Sequence, residues 1–500
     1  MSKNKNILFI THHNNDFDHF LPLIVHLKKD KEIYIKILAF YTKHELLKNK
    51  LHKYICDSND INLDSMTDIS YFKWINKVVI KTYGYVIAHR KLSDPGRRII
   101  PSFTSIVKSA RQTEGRLKKI KWKTVDFIKS PGDAILRTLE FLLIRYLVLC
   151  SIFLLTKNKM MNYIDSNNID LAIIDHRVID ESLIDTNPVV RFINALTGKT
   201  DPMDHVLFRF AKMARERAIP IFMMPHGPQP ISKNLPPDAK NELRLRQLKN
   251  SFRADFLAMC NKNELSLLRH MHGIKSTFFF GDPRFDLDWI NYLESCALKV
   301  YGPLLKKPED KTVLLYLMDN FTYSSEGNQE YKLEMHKDIL SLVNHFPNLE
   351  VWVKHHPRYV FEIPIDDFIH KDRQKNIRQF GNDTDTCILL ANADICLSAS
   401  STAFIPPMLQ RKPVIFYDRW KEKLHDVTTI FDDLKFEASS REELIVQYKK
   451  IINGEYSIDD SFLESFYKNV FSTDSLSESM VEKYSEKIFH IFDTPPAQSF

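Results

Sequence analysis

ADICLSASSTAFIPPMLQRKPVIFYD, residues 393–418, compresses a strand, a turn, a helix and a second strand into one short stretch. ADICLS is a short apolar run rich in strand formers, and PVIFYD is another. Between them Pro406 and Pro407 fall just inside a helix start, where a missing N–H is tolerated. A strand–helix–strand unit of this kind builds a parallel sheet. Working outward, the same alternation continues in both directions. TVLLYLMDN (312–320) and LEVWVKHHP (349–357) are strands on either side of the helical QEYKLEMHKDILSLVNHF. NILFITHH (6–13), IYIKILAFY (33–41), DLAIIDH (170–176), IPIFMMPHG (219–227), ADFLAMC (254–260) and STFFF (276–280) supply strands to the first half.

The chain has 500 residues, more than one ordinary core accommodates. The division expected is residues 1–287 as a first Rossmann-like domain, 288–311 as a polar, proline-containing linker, and 312–500 as a second Rossmann-like domain ending in polar helices. Residues from about 40 to 165 are less regular and read as a helical insert in the first domain. With 44% hydrophobic and 27% charged residues the composition is that of a folded globular chain. Only 12 glycines are present, so phosphate cannot be held by a glycine-rich loop. The six cysteines are scattered with no CxxC pair, which points to free thiols and a reducing compartment. The apolar run near the N-terminus is too short for a signal peptide and reads as the first strand, so a cytoplasmic location is expected.

The net charge of +7 is concentrated. Lys108 to Lys129 carries Arg111, Arg116, Lys118, Lys119, Lys121 and Lys123, and the apolar AILRTLEFLLIRYLVLCSIFLL (134–155) follows. Arg137, Glu140 and Arg145 interrupt that run, and each charge at a bilayer centre costs about 2.5–3.5 kcal/mol. A spanning helix is therefore not expected. Two readings remain: a core helix behind a solvated basic helix, or a peripheral contact with an anionic membrane surface on the inner face of the plasma membrane. No nucleic-acid-binding module is recognisable, and no nucleic-acid partner is expected.

In an open parallel sheet, ligands bind beyond the carboxyl ends of the strands. Those ends are rich in histidine here: His12 and His13 in THHN, His176 in IDH, His226 in PHG, and His355 and His356 in KHHPR. His226, with Gly227 allowing close approach, is placed to take a proton from an attacking hydroxyl. His355 and His356 point to opposite faces of a strand, and Pro357 holds His356 extended at the cleft edge. His356 and Arg358 are candidates for a donor phosphate. Ser400, Ser401 and Thr402 precede a helix, where hydroxyls and free N–H groups receive an anion or simply cap the helix. Asp418 either accepts from a ribose hydroxyl or ends its strand. The Asp-x-Asp strings 286–288 and 383–385 sit at a linker and at a helix start, and no metal site and no cofactor are expected.

HG at 226–227, GDPRFD at 281–286, KHHPR at 354–358 and the 393–418 block stand in an order that resembles the glycerophosphotransferase-like polymerases of teichoic acid and capsule synthesis. The resemblance implies a GT-B transferase: two Rossmann-like domains facing each other across a cleft, building a bacterial surface polymer without a metal. It implies His226 as acceptor-activating base, His356, Ser400, Ser401 and Thr402 on the donor phosphates, and Arg284 near the cleft. Two segments depart from the family pattern. Leu397–Ser401 lacks the family's aspartate, and Pro228-Gln229-Pro230 follows the HG turn. A nucleotide-activated sugar is thus as well accommodated as CDP-glycerol, with a glycan or lipid-linked acceptor. A nucleotide-sugar 2-epimerase of the same fold, needing no acceptor, and a non-catalytic glycan- or nucleotide-binding scaffold are the alternatives.

Overall fold

The computed structural model describes residues 4–11, 14–39, 46–47, 49–65, 157–175, 202–225, 254–262, 274–302, 305–318, 328–355, 376–381, 384–398, 402–417, 436–473 and 475–493. In chain order the first half contains β1 (Lys5–Thr11), α1 (Asn14–Leu27), β2 (Ile33–Ala39), α2 (Lys50–Ser58), β3 (Leu63–Ser65), α3 (Lys157–Ser166), β4 (Leu171–Asp175), α4 (Pro202–Glu216), β5 (Ile221–Met224), β6 (Phe256–Met259) and β7 (Ser276–Phe279). Its sheet has the order β3-β2-β1-β4-β5-β6-β7, and every described pairing in it is parallel. A helix, α5 (Leu287–Tyr301), then leads to β8 (Thr312–Leu317), α6 (Asn328–His345), β9 (Leu349–Lys354), β10 (Ile377–Phe380), α7 (Thr386–Asn392), β11 (Ile395–Ser398), α8 (Ile405–Leu409), β12 (Val414–Tyr417) and β13 (Glu437–Ala438). The second sheet has the order β10-β9-β8-β11-β12-β13, again all parallel. Three helices close the chain: α9 (Arg441–Ile452), α10 (Asp460–Phe471) and α11 (Met480–Asp493).

Both sheets are doubly wound about their first strand, and each reverses direction once. The reversals lie between β1 and β4 and between β8 and β11. Strands there are buried on both faces, as parallel strands covered by helices must be. Alternate residues of β1 enter different cores: Ile7 and Phe9 on one face, Leu8 and Ile10 on the other. The first of these cores is shared between the halves. It joins Phe9, Ile173 and Phe222 through α5, α7 and α8 to Val313, Leu315 and Trp352 of the second sheet.

Two features differ from the sequence reading. The segment 288–311 is not simply an extended linker, because α5 occupies most of it. Asp286 caps that helix, accepting from the N–H groups of Asp288 and Trp289. The last two helices, assigned by sequence to the second domain, pack on the first sheet. Tyr484 of α11 sits edge-on to Phe222 and Phe280 and donates to the Gly281 carbonyl at 2.9 Å. Tyr467 of α10 donates to the Phe285 carbonyl at 2.6 Å, and Asn261 donates to the Val470 carbonyl at 3.2 Å. Their polar sequence concealed this, since each buries only one face: Phe466, Tyr467, Val470 and Phe471 on α10, and Tyr484, Ile488 and Ile491 on α11.

Gly281 is where this C-terminal cover presses hardest. Its φ is +75°, and an added Cβ would lie 2.5 Å from Met480 Sδ and 3.0 Å from Phe471 Cβ. Gly281→Ala combines left-handed strain with overpacking and is predicted to lower unfolding free energy by about 2–3 kcal/mol in chemical denaturation. A loss below about 0.5 kcal/mol would show that the C-terminal helices do not hold this turn.

Candidate functional site

The two halves are joined at the N-terminal ends of α2 and α7, with α1 alongside. Asn49 caps α2, its side-chain oxygen accepting from Leu51 N at 2.8 Å and His52 N at 3.4 Å. Asp385 caps α7, accepting from Cys387 N at 2.9 Å. The spare atoms of these caps join the halves, for Asn49 Nδ2 donates to Asp385 Oδ2 at 3.0 Å. Asp18, in the first turns of α1, lies beside them, with Oδ1 2.5 Å from His52 Nε2. Carboxylates from both halves therefore converge on one buried histidine. Burial opposes the charge on His52, but Asp18, then Asp385 and the Leu46 backbone outweigh it and raise the imidazole above its ordinary value. Since α1 follows β1 and α7 follows β10, this joint brings the carboxyl ends of the two sheets toward one another.

At those ends, Thr11 and Asp175 close the strands flanking the first reversal, and both are buried. Ser398 and Lys354, also buried, end β11 and β9. Lys354 Nζ donates to the Gly381 carbonyl at 2.6 Å, and His355 Nε2 lies 2.9 Å from Gln379 Oε1 on the neighbouring strand. His355 is thereby engaged with the edge strand β10.

His12, His13, His176, His226, Gly227, His356, Arg358, Ser400, Ser401 and Asp418 lie outside the described residues, as does the basic and apolar segment 108–155. Thr402 and Arg284 lie within them. Thr402 does not open an α-helix directly. It begins a 3-10 turn, Thr402–Phe404, and the α-helix that follows has only five residues, with Phe404 at its N-cap and no side-chain cap. So short a helix sums few peptide dipoles, so an anion at this turn would depend on hydroxyl and N–H groups rather than on a macrodipole. Arg284 follows Asp282, which is wholly buried and caps the 3-10 turn Pro283–Phe285. His19 of α1, likewise buried, places Nδ1 3.1 Å from Asp282 Oδ2. Burial disfavours charge on Asp282, yet Arg284 and His19 hold its carboxyl well below the usual carboxylate range.

Asp286, of the first Asp-x-Asp string, is committed to structure. Besides capping α5 it accepts from Ser479 Oγ at 2.7 Å and Val481 N at 3.2 Å. Among the described residues no three His, Cys, Asp or Glu side chains gather as metal ligands, and no helix is long and apolar enough to cross a membrane. Cys56, Cys260, Cys296, Cys387 and Cys396 are free, and burial pushes the Cys56 and Cys396 thiols up to about 12.

The architecture matches solved structures along the chain. A UDP-GlcNAc 2-epimerase from Neisseria meningitidis bound to UDP-GlcNAc is 12% identical, with a TM-score of 0.50, covering 97% of this chain and 100% of that one. Another UDP-N-acetylglucosamine 2-epimerase is 12% identical with a TM-score of 0.51, covering 100% of both. The chain has the GT-B fold. At such identities the likeness is one of fold alone. A wall teichoic acid polymerase is 14% identical over 65% of this chain and 72% of that one, with a TM-score of 0.39, too loose to carry an argument. No protein-family model and no curated protein sequence matches.

His19, His52 and Asp282 were not singled out by sequence. The usable signal was a polar residue on an apolar helix face: His19 sits between Phe17 and Phe20, and His52 beside Leu51 and Ile55.

The raised His52 gives a prediction with a definite sign. Its contribution is complete below the unfolded value near 6.5 and is lost as pH rises through the higher folded value. Wild type is expected to lose about 1 kcal/mol more than His52→Gln across that window, a figure reduced for the solvent reaching Asp18. Denaturation at pH 6 and pH 9 measures it; parallel losses in both proteins would contradict the joint.

Proposed function

We propose that this GT-B chain transfers a nucleotide-activated sugar or polyol phosphate to a glycan or lipid-linked acceptor. The observation that carries the reading is the pairing of two doubly wound sheets, joined through Asp18, His52, Asn49 and Asp385 so that their carboxyl ends approach one another. The histidine, serine and arginine motifs of the sequence follow directly on those strand ends, where such sheets bind ligands. In this reading the second half holds the donor and the first half the acceptor.

His226 takes the proton of the acceptor hydroxyl as its oxygen attacks the activated centre. The bond to the nucleotide phosphate breaks, and the charge left on that phosphate is received by His356, Arg358 and the hydroxyls of Ser400, Ser401 and Thr402. Asp418 accepts from the ribose. His12, His13 and His176, which follow the strands beside the first reversal in sequence, are further candidates for the cleft. The basic and apolar segment 108–155 brings the enzyme to an anionic membrane surface on the cytoplasmic side, where a lipid-linked acceptor resides.

A second reading has its own support: two structures whose fold matches along the whole chain are UDP-GlcNAc 2-epimerases. The two reactions differ in what they consume. Transfer requires an acceptor, whereas inversion at C2 breaks a carbon–hydrogen bond and needs none.

Incubating the enzyme in D2O with UDP- and CDP-activated donors, with and without glycan acceptors, separates them. Transfer predicts acceptor-dependent donor consumption, falling by roughly 10²–10⁴-fold in His226→Ala and also lost in His356→Ala. Acceptor-independent deuterium at C2 would assign the epimerase. Binding without turnover across the panel, unchanged in His226→Ala, would leave a scaffold.

A further inference from the structure

Arg284 has an unusual setting for a structural ion pair. Its Nε and Nη2 both donate to Asp282 Oδ2, at 3.2 and 3.0 Å, while its backbone N–H donates to Oδ1 at 3.0 Å. One edge of the guanidinium is thereby locked. Its Nη1 has no hydrogen-bond partner among the described residues, and the side chain stays 24% exposed while Asp282 is at 0%. The Phe285 ring lies 5.2 Å from the guanidinium carbon and supports the fork.

The carboxylate itself is held rigidly. His19 backs it from α1, and burial followed by the Arg284 charge keeps that imidazole below its ordinary value, so it adds no second cation. The turn that carries Asp282 and Arg284 is fastened at both ends, by Tyr484 on Gly281 and by Tyr467 on Phe285. His19 also feels Asp175, the last residue of β4, which sets the cluster beside the carboxyl edge of the first sheet at its reversal. A buried pair is a poor stabiliser, since desolvation offsets attraction. A half-open guanidinium fixed by such a pair is instead prepared for a planar or tetrahedral anion.

We propose that Arg284 binds a phosphate of the nucleotide-activated substrate, and that Asp282, backed by His19, is the positioning residue that aims it. This rests on the transferase reading but extends it, because it gives the first half a share in holding the diphosphate.

Calorimetric titration of the full chain with UDP, CDP and inorganic pyrophosphate tests it in wild type, Arg284→Lys, Asp282→Asn and the double variant. Lysine keeps the charge but loses the fork, so Arg284→Lys is expected to weaken all three probes by about fivefold or more. Asp282→Asn should weaken them similarly, and the double variant should be no weaker than Arg284→Lys alone. Circular dichroism checks that each variant is folded; if Asp282→Asn is not, Arg284→Lys and Arg284→Met decide. A loss smaller than fivefold, or losses that multiply in the double variant, overturns the proposal. Nucleoside diphosphate binding that is abolished by His356→Ala yet indifferent to Arg284 would overturn this inference alone. No binding of any probe to wild type would remove the nucleotide reading with it.

Discussion

Asp18 and Asp385 come from opposite halves of the chain and converge on His52, with Asn49 completing the contact. Two carboxylates approaching one another at a partly buried boundary repel unless a donor or a cation lies between them. Here the donors are supplied by α2, a helix of the first half whose own cap is one of the participants. Because caps are placed by backbone geometry, the contact orients α2 against α7 and, with α1 alongside, the carboxyl edges of the two sheets. The proposed transfer depends on that orientation, since a doubly wound sheet offers its ligand crevice at one edge only.

The C-terminal helices add a second constraint. By returning to the first sheet, α10 and α11 carry the chain across the boundary again and set Tyr484 edge-on against the buried Phe222 and the partly buried Phe280. The same contacts pin the 281–286 turn. The packing that returns α10 and α11 to the first sheet thus also fixes the position of the turn that carries Arg284.

The alternation of strands and helices was legible because central parallel strands are buried on both faces and read as unbroken apolar runs, as in LAIID and TVLLYL. The short edge strands Leu63–Ser65 and Glu437–Ala438 were not legible, having two or three residues and no periodicity. Helix α5 was read as linker because Asp, Asn and Glu on its exposed side diluted the apolar face carried by Trp289, Ile290 and Ala297. At the site, motif reading favours residues that follow strands. It passed over His19 and His52, whose partners Asp282 and Asp18 lie on other elements and become neighbours only after folding. It also expected a regular helix after Ser401, where two consecutive prolines and a 3-10 turn leave only a short one.

The proposed transfer requires that a nucleotide-activated substrate lie between the two sheets and touch both. Hydrogen–deuterium exchange of the full chain, with and without saturating UDP or CDP, tests it most directly. The account predicts slowed exchange in both halves at once, in the segments following β1, β4 and β5 and in those following β9 and β11. Protection confined to one half, or unchanged exchange at the strand ends of both sheets, would contradict it.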